Sequence, residues 1–269
     1  MTDGSLQIQS QMLDHYLQAL KLPTMKASYK SQASDSLKLG MTYESFLMQL
    51  AEAEVLGRQH RRIQSNIKFA QFPNLKTLES FDFTLLPKLS KQLVLDLATC
   101  SYINNFENIL LLGSSGTGKT HLATSLGLAA CQNGQTVLFK TAAKLVHELM
   151  EAYDAKKLLS LQKKLKLVNL LIIDELGYVP FSKTGAELLF EVFSERYERG
   201  SMIVTSNLPF EQWPEVFGSD RMTGALLDRL THHIHILEMN GDSYRLGSSK
   251  NNKYREGAAR KLDANKTNK

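Results

Sequence analysis

The sequence contains little cysteine and no long apolar run. Its two cysteines, Cys100 and Cys131, stand in apolar surroundings, and neither has the spacing of a zinc site or a disulfide framework. No stretch approaches the roughly 18 consecutive apolar residues of a membrane span, and the first ten residues lack the basic and apolar regions of a signal peptide. These absences argue against a secreted disulfide-rich domain or a membrane protein, and they predict a cytoplasmic protein with two inert buried thiols.

The sequence also has little excess charge, but that excess is unevenly distributed. The 269 residues are 43% hydrophobic and 22% charged, which is enough apolar material for the core of a large domain with a small appendage. Residues 247–269 hold seven Lys and Arg against two acidic residues, and their net charge of +5 equals that of the whole chain. The segment 248–269 is almost free of large apolar residues, which predicts a basic disordered tail that either binds polyanions or serves only solubility.

The first 80 residues have the pattern of helices. Apolar residues recur at helical spacing from Met12 to Leu20 until Pro23, and a second helix is predicted from Thr42 to Ala70. One side of that second helix carries four apolar side chains: Leu56, Ile63, Ile67 and Ala70. The opposite side carries four cationic side chains: Arg58, Arg61, Arg62 and Lys68. We therefore predict a helical domain over 1–80 whose basic face either contacts DNA phosphates or is an ordinary solvated surface.

From residue 81 onward, short apolar runs alternate with helical stretches. Such alternation is typical of a parallel sheet whose strands are joined by crossover helices. Five strands are predicted, at 108–112, 136–139, 167–173, 201–205 and 234–237. The stretch between the second and third strands is long enough for two helices. The sequence thus predicts an α/β domain over 81–247, with a five-stranded parallel sheet flanked by helices.

A glycine-rich motif follows the first predicted strand directly. Residues 113–120, GSSGTGKT, match the full pattern GxxxxGK[ST] and precede a helical stretch. The glycines let backbone N–H groups surround phosphates at a helix N-terminus, Lys119 neutralises the β and γ phosphates, and the Thr120 hydroxyl ligates Mg²⁺. The predicted nucleotide-binding residues are Gly113, Ser114, Ser115, Gly116, Thr117, Gly118, Lys119, Thr120 and His121.

Two adjacent carboxylates end the third predicted strand, LLIIDE. Because ligands of a parallel sheet bind at the carboxyl ends of its strands, Asp174 and Glu175 are expected beside the phosphates. Asp174 is predicted to hold Mg²⁺, and Glu175 to orient and polarise the attacking water. Paired acids at a strand end are common on their own. Downstream of a phosphate-binding motif they indicate an ATPase rather than a small-molecule kinase.

Three further signals are weaker. The buried strand MIVTS precedes Asn207, which either holds the hydrolytic water near the γ-phosphate or is a turn residue. The helical stretch ALLDRL carries Arg229, which either acts as an arginine finger toward ATP on a neighbouring subunit or pairs with a surface carboxylate. Three histidines (His232, His233 and His235) lack a carboxylate or cysteine at ligand spacing, so polar strand-edge residues are the favoured interpretation.

These motifs in combination resemble a known family. FPNLKTLESFDF, GSSGTGKTHLA, LLIIDELGY, ERGSMIVTSNLPFEQW and ALLDRLTHHIHILEMNGDSYR are similar to the IstB-type transposition helper ATPases of the AAA+ superfamily, which are related to the DnaC helicase loaders and DnaA initiators. The resemblance covers residues 56–246. It implies that the helical lid usual after the last strand is reduced or absent, since the chain becomes polar after Leu246.

The resemblance also assigns a role to each motif. In chain order, these are Walker A at 113–120, Walker B at Asp174 and Glu175, sensor 1 at Asn207 and the arginine finger at Arg229, with Arg221 as a less favoured finger. It implies an oligomeric ATPase that takes ATP and Mg²⁺ at subunit interfaces. With ATP it would assemble on duplex DNA, assist an insertion-sequence transposase in target selection and strand transfer, and be released by hydrolysis.

DNA contact is expected to be with phosphates and largely independent of sequence. Besides the basic helix face and the tail, five lysines offer a route to phosphates: Lys156, Lys157, Lys163, Lys164 and Lys166. Two alternatives stay open at this point. One is a replicative helicase loader with the same core motifs, and the other is a nucleotide-gated DNA scaffold with little ATP turnover.

Overall fold

In the computed structural model of the protein, residues 3–241 have a described structure. Contacts within the chain define two compact units, Met1–Ser65 and Asn66–Lys269. The boundary lies inside a helix, because residues after Ser65 such as Ile67 and Ala70 belong to the core of the second unit. As a division into functional domains, the boundary between residues 80 and 81 stays a prediction.

The first unit is helical, as the sequence predicts. It comprises α1 (Asp3–Ala19), α2 (Pro23–Leu39) and most of α3 (Tyr43–Ala70). Apolar spacing does not predict α2, because this helix has few apolar side chains and because Pro23 indicates only the end of the preceding helical pattern. Instead Pro23 occupies the first turn of α2, where its missing N–H group has no helical partner to lose. Gly40, with φ of 61°, ends the helix.

The packing side of α3 differs from the prediction. Leu56 is 57% exposed, so its assignment to a buried side is wrong. Leu50 and Glu54 are buried instead. Residues three or four apart share a helix face, so Arg58 follows Glu54 on the same side. The buried side of this helix therefore contains a carboxylate, which an analysis of apolar spacing alone does not find.

The second unit contains the sheet. Its helices after α3 are α4 (Lys91–Ala98), α5 (Ser101–Asn104), α6 (Lys119–Gln132), α7 (Ala142–Asp154), α8 (Leu158–Lys166), α9 (Lys183–Arg196), α10 (Trp213–Phe217) and α11 (Asp220–Thr231). Its strands are β1 (Asn108–Leu112), β2 (Val137–Thr141), β3 (Leu170–Leu176), β4 (Ser201–Ser206) and β5 (Ile234–Glu238). The predicted five strands are confirmed, and so are the two helices between β2 and β3.

All neighbouring strands pair in parallel, in the order β2-β3-β4-β1-β5. Alternate residues of β1 point to opposite faces: Ile109 and Leu111 join a core cluster with α6, and Leu110 joins a cluster with α7, α9 and α11. Burial on both faces explains why the strands read as continuous apolar runs. In this order β4 lies between β3 and β1, so the three strands that carry the predicted site end side by side.

Some predictions concern residues outside the described part of the chain. The predictions of a reduced or absent lid and of a basic tail over 248–269 both concern residues beyond 241. Across the described part, no helix combines the length and the apolar character that a bilayer crossing requires.

Candidate functional site

The glycine-rich motif forms a loop between β1 and α6 at the carboxyl edge of the sheet. A Cβ atom at Gly113 would overlap the carbonyl oxygen of Met239. Gly118 has φ of 93°, and a Cβ there would lie 3.1 Å from the Phe81 ring. Both positions therefore require glycine. Because α6 begins at Lys119, its first N–H groups and the positive end of its dipole lie at the loop, as phosphate binding requires.

The two polar residues that open α6 connect the loop to the neighbouring strand. The Lys119 ammonium donates to the carbonyl oxygens of Gly113, at 2.6 Å, and Ser114, at 2.8 Å. The Thr120 hydroxyl lies 3.1 and 3.0 Å from the two carboxylate oxygens of Asp174 and donates to them. The two residues predicted to hold Mg²⁺ are therefore in direct contact.

Asp174 is a buried carboxylate, 3% exposed. Thr205 of β4 donates its hydroxyl to Asp174 at 2.6 Å and accepts the Glu175 N–H at 2.9 Å. Burial raises the pKa of the Asp174 carboxyl above its ordinary value, while the hydroxyls of Thr205 and Thr120 and the charge of Lys119 act in the opposite direction. The sequence analysis does not assign Thr205 to the site. Its signal is a polar residue within a strand whose residues are all buried.

Glu175 lies at an irregularity of β3. The register between β3 and β4 shifts between Ile173 and Leu176, and Glu175 has φ of 61°. A left-handed conformation is unfavourable for a residue with a Cβ, by roughly 1 to 2 kcal/mol, and such strain concentrates at functional sites. The consequence is visible in burial: Asp174 is buried, whereas the next side chain, Glu175, is exposed in the cleft.

A cleft of about 750 Å³ collects the predicted site residues. Its wall at the glycine-rich loop consists of Ser115, Gly116, Thr117, Gly118, Lys119, Thr120 and His121. Its wall at the strand ends includes Glu175, Tyr178, Thr205 and Asn207. Asn207 is the first residue after β4, and it is exposed. Three strand ends thus bring together the residues that the sequence motifs indicate.

A third wall of the cleft was not predicted as part of the site. It is the linker segment, residues 73–86, and its members in the cleft are Pro73, Asn74, Lys76, Ser80, Phe81, Asp82, Leu85 and Leu86. His121 lies against this segment: its Nε2 is 3.0 Å from the Thr77 carbonyl oxygen and 3.2 Å from the Ser80 hydroxyl. Burial lowers the pKa of His121. The sequence motif FPNLKTLESFDF spans residues 72–83 and so covers most of the segment, but its spacing indicates no chemical role.

Arg229 lies apart from the cleft of its own chain. It is half-buried on α11, donates to the Ala225 carbonyl oxygen at 2.8 Å, and stacks on the Phe190 ring, whose centroid is 5.1 Å from its guanidinium carbon. Among the described residues that line the cleft, neither Arg229 nor Arg221 is found.

The basic face of α3 is partly engaged within the first unit. Glu54 accepts the N–H groups of Thr24, at 2.7 Å, and Met25, at 3.0 Å, at the start of α2. The same carboxylate receives Arg58 Nε at 3.3 Å and Arg61 Nη2 at 2.9 Å. One carboxylate thus orients two guanidiniums and joins two helices.

Other cations remain available to solvent. Arg62 and Lys68 are exposed, and a second cleft of about 650 Å³ is lined by Gln18, Lys21, Leu22, Pro23, Lys26, Arg58 and Arg61. The five lysines between α7 and the end of α8 are exposed as well, and Lys166 pairs with Glu195 at 2.9 Å.

Two of the three histidines before and within β5 have hydrogen-bond partners. His235 Nε2 lies 2.8 Å from a carboxylate oxygen of Glu107, and His232 Nδ1 lies 3.2 Å from the Tyr197 hydroxyl. Glu198, distant in sequence, brings a carboxylate within 4.8 Å of the ligand atoms of His232 and His233. All three of these residues are exposed, which fits polar residues at the edge of the sheet.

The donor set at Thr120 and Asp174 fits Mg²⁺. Magnesium prefers hard oxygen ligands and is usually held by one or two protein groups together with substrate phosphates. A hydroxyl and a carboxylate lie 3.0 Å apart here, beside the phosphate-binding loop. Because the carboxylate is buried, a bound cation would also offset the cost of its negative charge.

Comparison with known proteins connects this site to one family. The sequence profile described as IstB-like ATP binding protein matches residues 15–252. The ATP-binding protein of insertion sequence IS5376 from Geobacillus stearothermophilus is 40% identical over 237 residues, which are 87% of this chain and 93% of that protein. The ATP-binding protein of insertion sequence IS21 from Pseudomonas aeruginosa is 38% identical over 234 residues, 87% of this chain and 88% of that protein.

Solved structures of similar fold are less similar in sequence than these relatives. AMPPCP-bound DnaA from Aquifex aeolicus aligns with a TM-score of 0.53 and 22% identity over 63% of this chain and 51% of DnaA. DnaI aligns with a TM-score of 0.51 and 17% identity over 61% of this chain and 90% of DnaI. At these identities the likeness concerns the fold alone. It agrees with the five-stranded parallel sheet and the glycine-rich loop described above.

Proposed function

This chain belongs to the IstB-like ATP-binding protein family, and we propose that it is an ATP-hydrolysing, DNA-binding AAA+ protein that assists an insertion-sequence transposase. The single observation that supports ATP hydrolysis is the contact between buried Asp174 and Thr120, which lines the cleft together with Lys119, Glu175 and Asn207. A loop that binds phosphates and a carboxylate that activates water are the two parts that ATP hydrolysis needs.

Different residues of the chain have different roles in ATP hydrolysis. The backbone N–H groups of the loop and the Lys119 ammonium hold the phosphates of ATP. Thr120 and Asp174 would hold Mg²⁺, which supplies positive charge to the phosphate oxygens. Glu175 accepts a proton from the water that attacks the γ-phosphorus, and the bond from that phosphorus to the oxygen shared with the β-phosphate breaks, which leaves ADP. Asn207 orients the water or a γ-phosphate oxygen.

The cation that completes the site comes from a neighbouring copy of the chain. Arg229 supports this role because it is half-buried, held by its own helix and the Phe190 ring, and remote from the cleft of its own chain. An arginine supplied to the γ-phosphate from outside neutralises charge that develops in the transition state. ATP then bridges two subunits, so ATP favours assembly and hydrolysis favours release.

Duplex DNA is bound through phosphates, with little sequence preference. Exposed lysines of α8 and the α3 residues Arg62 and Lys68 offer the cations. Arg58 and Arg61 contribute at the second cleft, where two guanidiniums face one Glu54 carboxylate and leave a positive excess. In this proposal residues 1–80 bind DNA or the partner, 81–247 hydrolyse ATP, and 248–269 add a basic arm.

The transposase assignment rests on the insertion-sequence relatives and has a direct test. A cognate insertion-sequence transposase, tagged and immobilised, should retain the chain in the presence of duplex DNA and a non-hydrolysable ATP analogue. It should retain much less with ADP. Retention that is equal with analogue, ADP and no nucleotide, or absent in all three, would contradict a nucleotide-controlled partnership with the transposase. A replicative helicase serves as the matched bait for the loader alternative.

A further inference from the structure

His121 joins two walls of the nucleotide cleft. It follows the glycine-rich loop directly, on the first turn of α6. Its Nε2 faces the Thr77 carbonyl oxygen, which can only accept, so Nε2 carries the proton. The Ser80 hydroxyl also donates to the Thr77 carbonyl, at 2.8 Å. One carbonyl oxygen of the linker segment is thus held from two sides.

The contact continues from the imidazole to the loop through Phe81. The Phe81 and His121 rings lie edge to face, with centroids 5.2 Å apart. Phe81 is buried, and its ring covers Gly118 so closely that a Cβ at that position would lie 3.1 Å away. His121, Ser80 and Phe81 therefore fix the linker segment against the loop that holds the phosphates.

One polar side chain of the linker segment, Asp82, is occupied within the segment: it accepts the N–H of Thr84 at 2.9 Å and the Thr84 hydroxyl at 2.6 Å. Once the phosphates lie on the glycine-rich loop, the linker segment offers the sugar and base a wall with apolar surface at Pro73, Leu85 and Leu86 and polar groups at Asn74 and Lys76. The position of this wall therefore decides which of these groups a base can contact.

We propose that His121 is a positioning residue for the purine base, because it holds the linker segment as the base-binding wall of the cleft. The ligand class is a purine nucleoside triphosphate, and the inference rests on the proposed ATP site. His121 itself needs no contact with the phosphates. Its loss should therefore affect only the part of the affinity that depends on the base.

The test compares ligands with and without a base. His121→Ala should weaken ATP binding about tenfold, the effect of one to two net hydrogen bonds. It should reduce the preference for ATP over GTP, and it should leave binding of inorganic tripolyphosphate within about twofold of wild type. In turnover, the KM for ATP should rise while kcat changes little. His121→Asn, whose amide can still donate to Thr77, should restore most of the ATP affinity.

Two further variants serve as a control and as a second test of the contact with the linker segment. His147→Ala removes an exposed imidazole that pairs with Glu151 at 3.2 Å, and it should behave as wild type with all ligands. Ser80→Ala should shift ATP affinity in the same direction as His121→Ala, by less. Equal weakening of ATP and tripolyphosphate by His121→Ala, or unchanged ATP affinity, would overturn the inference. Wild-type protein that binds neither ligand would instead overturn the proposed ATP site.

Discussion

At the scale of single residues, the site is organised by one buried carboxylate. Asp174 receives hydroxyl groups from Thr120 and Thr205, and the same Thr205 oxygen holds the backbone of Glu175. A buried charge is costly unless it is hydrogen-bonded, so both threonines support the site by stabilising the Asp174 carboxylate. The left-handed backbone of Glu175 then turns the second carboxylate into the cleft.

This arrangement separates binding from hydrolysis. Lys119→Ala should abolish ATP binding, because it removes the loop's own ammonium from the phosphates. Glu175→Gln should keep ATP affinity but stall hydrolysis, since an amide cannot accept the proton of the attacking water. Equilibrium titration with a fluorescent ATP analogue and a phosphate-release assay distinguish the two variants. Unchanged ATP affinity in the Lys119 variant would refute the assignment of the loop.

At the scale of secondary structure, single buried side chains fix the positions of helices and strands. Arg196, 2% exposed at the end of α9, donates to the carbonyl oxygens of Leu165, Val168, Asn169 and Ser201 at 2.8 to 3.2 Å. Burial lowers its pKa to about 10. The guanidinium thus ties the end of α8 to the starts of β3 and β4, the two strands that carry the acids and Asn207.

Arg196→Lys should destabilise the second unit by about 3 kcal/mol, because an ammonium cannot reproduce the fork of donors and leaves buried carbonyls without partners. Chemical denaturation monitored by circular dichroism measures the loss. Arg199→Lys, at an exposed position three residues later, is the matched control and should change stability by less than about 0.5 kcal/mol. Equal stability of the two variants would mean that the four carbonyl bonds contribute little.

In the first unit, Glu54 ties α3 to the start of α2. Burial alone would raise the pKa of Glu54, but the N–H groups of Met25 and Thr24 and the guanidiniums of Arg58 and Arg61 outweigh it and hold the pKa below its ordinary value. A lowered folded-state pKa means that the stabilisation is fully present above the unfolded value of about 4.3. It is lost as the pH falls through the lower, folded-state pKa.

Glu54→Gln should therefore accelerate hydrogen exchange in the peptide covering the first turns of α2 by about tenfold at pH 7. Wild type and variant should converge only once the pH has fallen below the lowered folded-state pKa of Glu54, after exchange is corrected for its intrinsic pH dependence. Mass spectrometry of peptides from the intact protein reports both values. Exposed Glu52→Gln is the control. A difference that persists unchanged in acid would rule out the charge of Glu54 as the cause.

The sequence predicts the sheet better than the helices that surround it. The apolar runs of β1, β3 and β4 predict these strands because both of their faces are buried, whereas β2 and β5 lie at the edges of the sheet and are partly exposed. The motifs at the strand ends lie together because parallel strands end at one edge. Helix α2 has few apolar side chains, and the Glu54 carboxylate that accepts two N–H groups at its start is 29 or 30 residues away, so apolar spacing does not predict this helix. The partners of Thr205 and of the linker segment are likewise distant in sequence.

At the scale of the whole molecule, the proposed ATP site requires an arginine from a second copy of the chain. Arg229→Ala should leave ATP binding intact and lower hydrolysis by about 10³-fold, as loss of an arginine supplied from outside does. Mixing it with Lys119→Ala should restore part of the activity, because one interface of a mixed oligomer combines an intact loop with an intact arginine. Steady-state ATPase assays across mixing ratios measure the recovery.

The double variant, with both changes in one chain, is the control for the mixing experiment. It should not restore ATPase activity when it is mixed with either single variant, because no interface then combines an intact loop with an intact arginine. Mixed oligomers should first be verified by co-purification of differently tagged chains. Absence of recovery in verified mixed oligomers would place the completing cation within the same chain.

The affinity of the chain for duplex DNA, measured across a salt series in each nucleotide state, tests whether ATP controls DNA binding. With a non-hydrolysable ATP analogue, the affinity should be at least tenfold tighter than with ADP, it should vary little with DNA sequence, and its logarithm should fall with the logarithm of salt concentration by about 0.9 for each phosphate contact. Lys119→Ala should remove the nucleotide effect. Equal affinity with analogue, ADP and no nucleotide would contradict an ATP-controlled DNA-binding function.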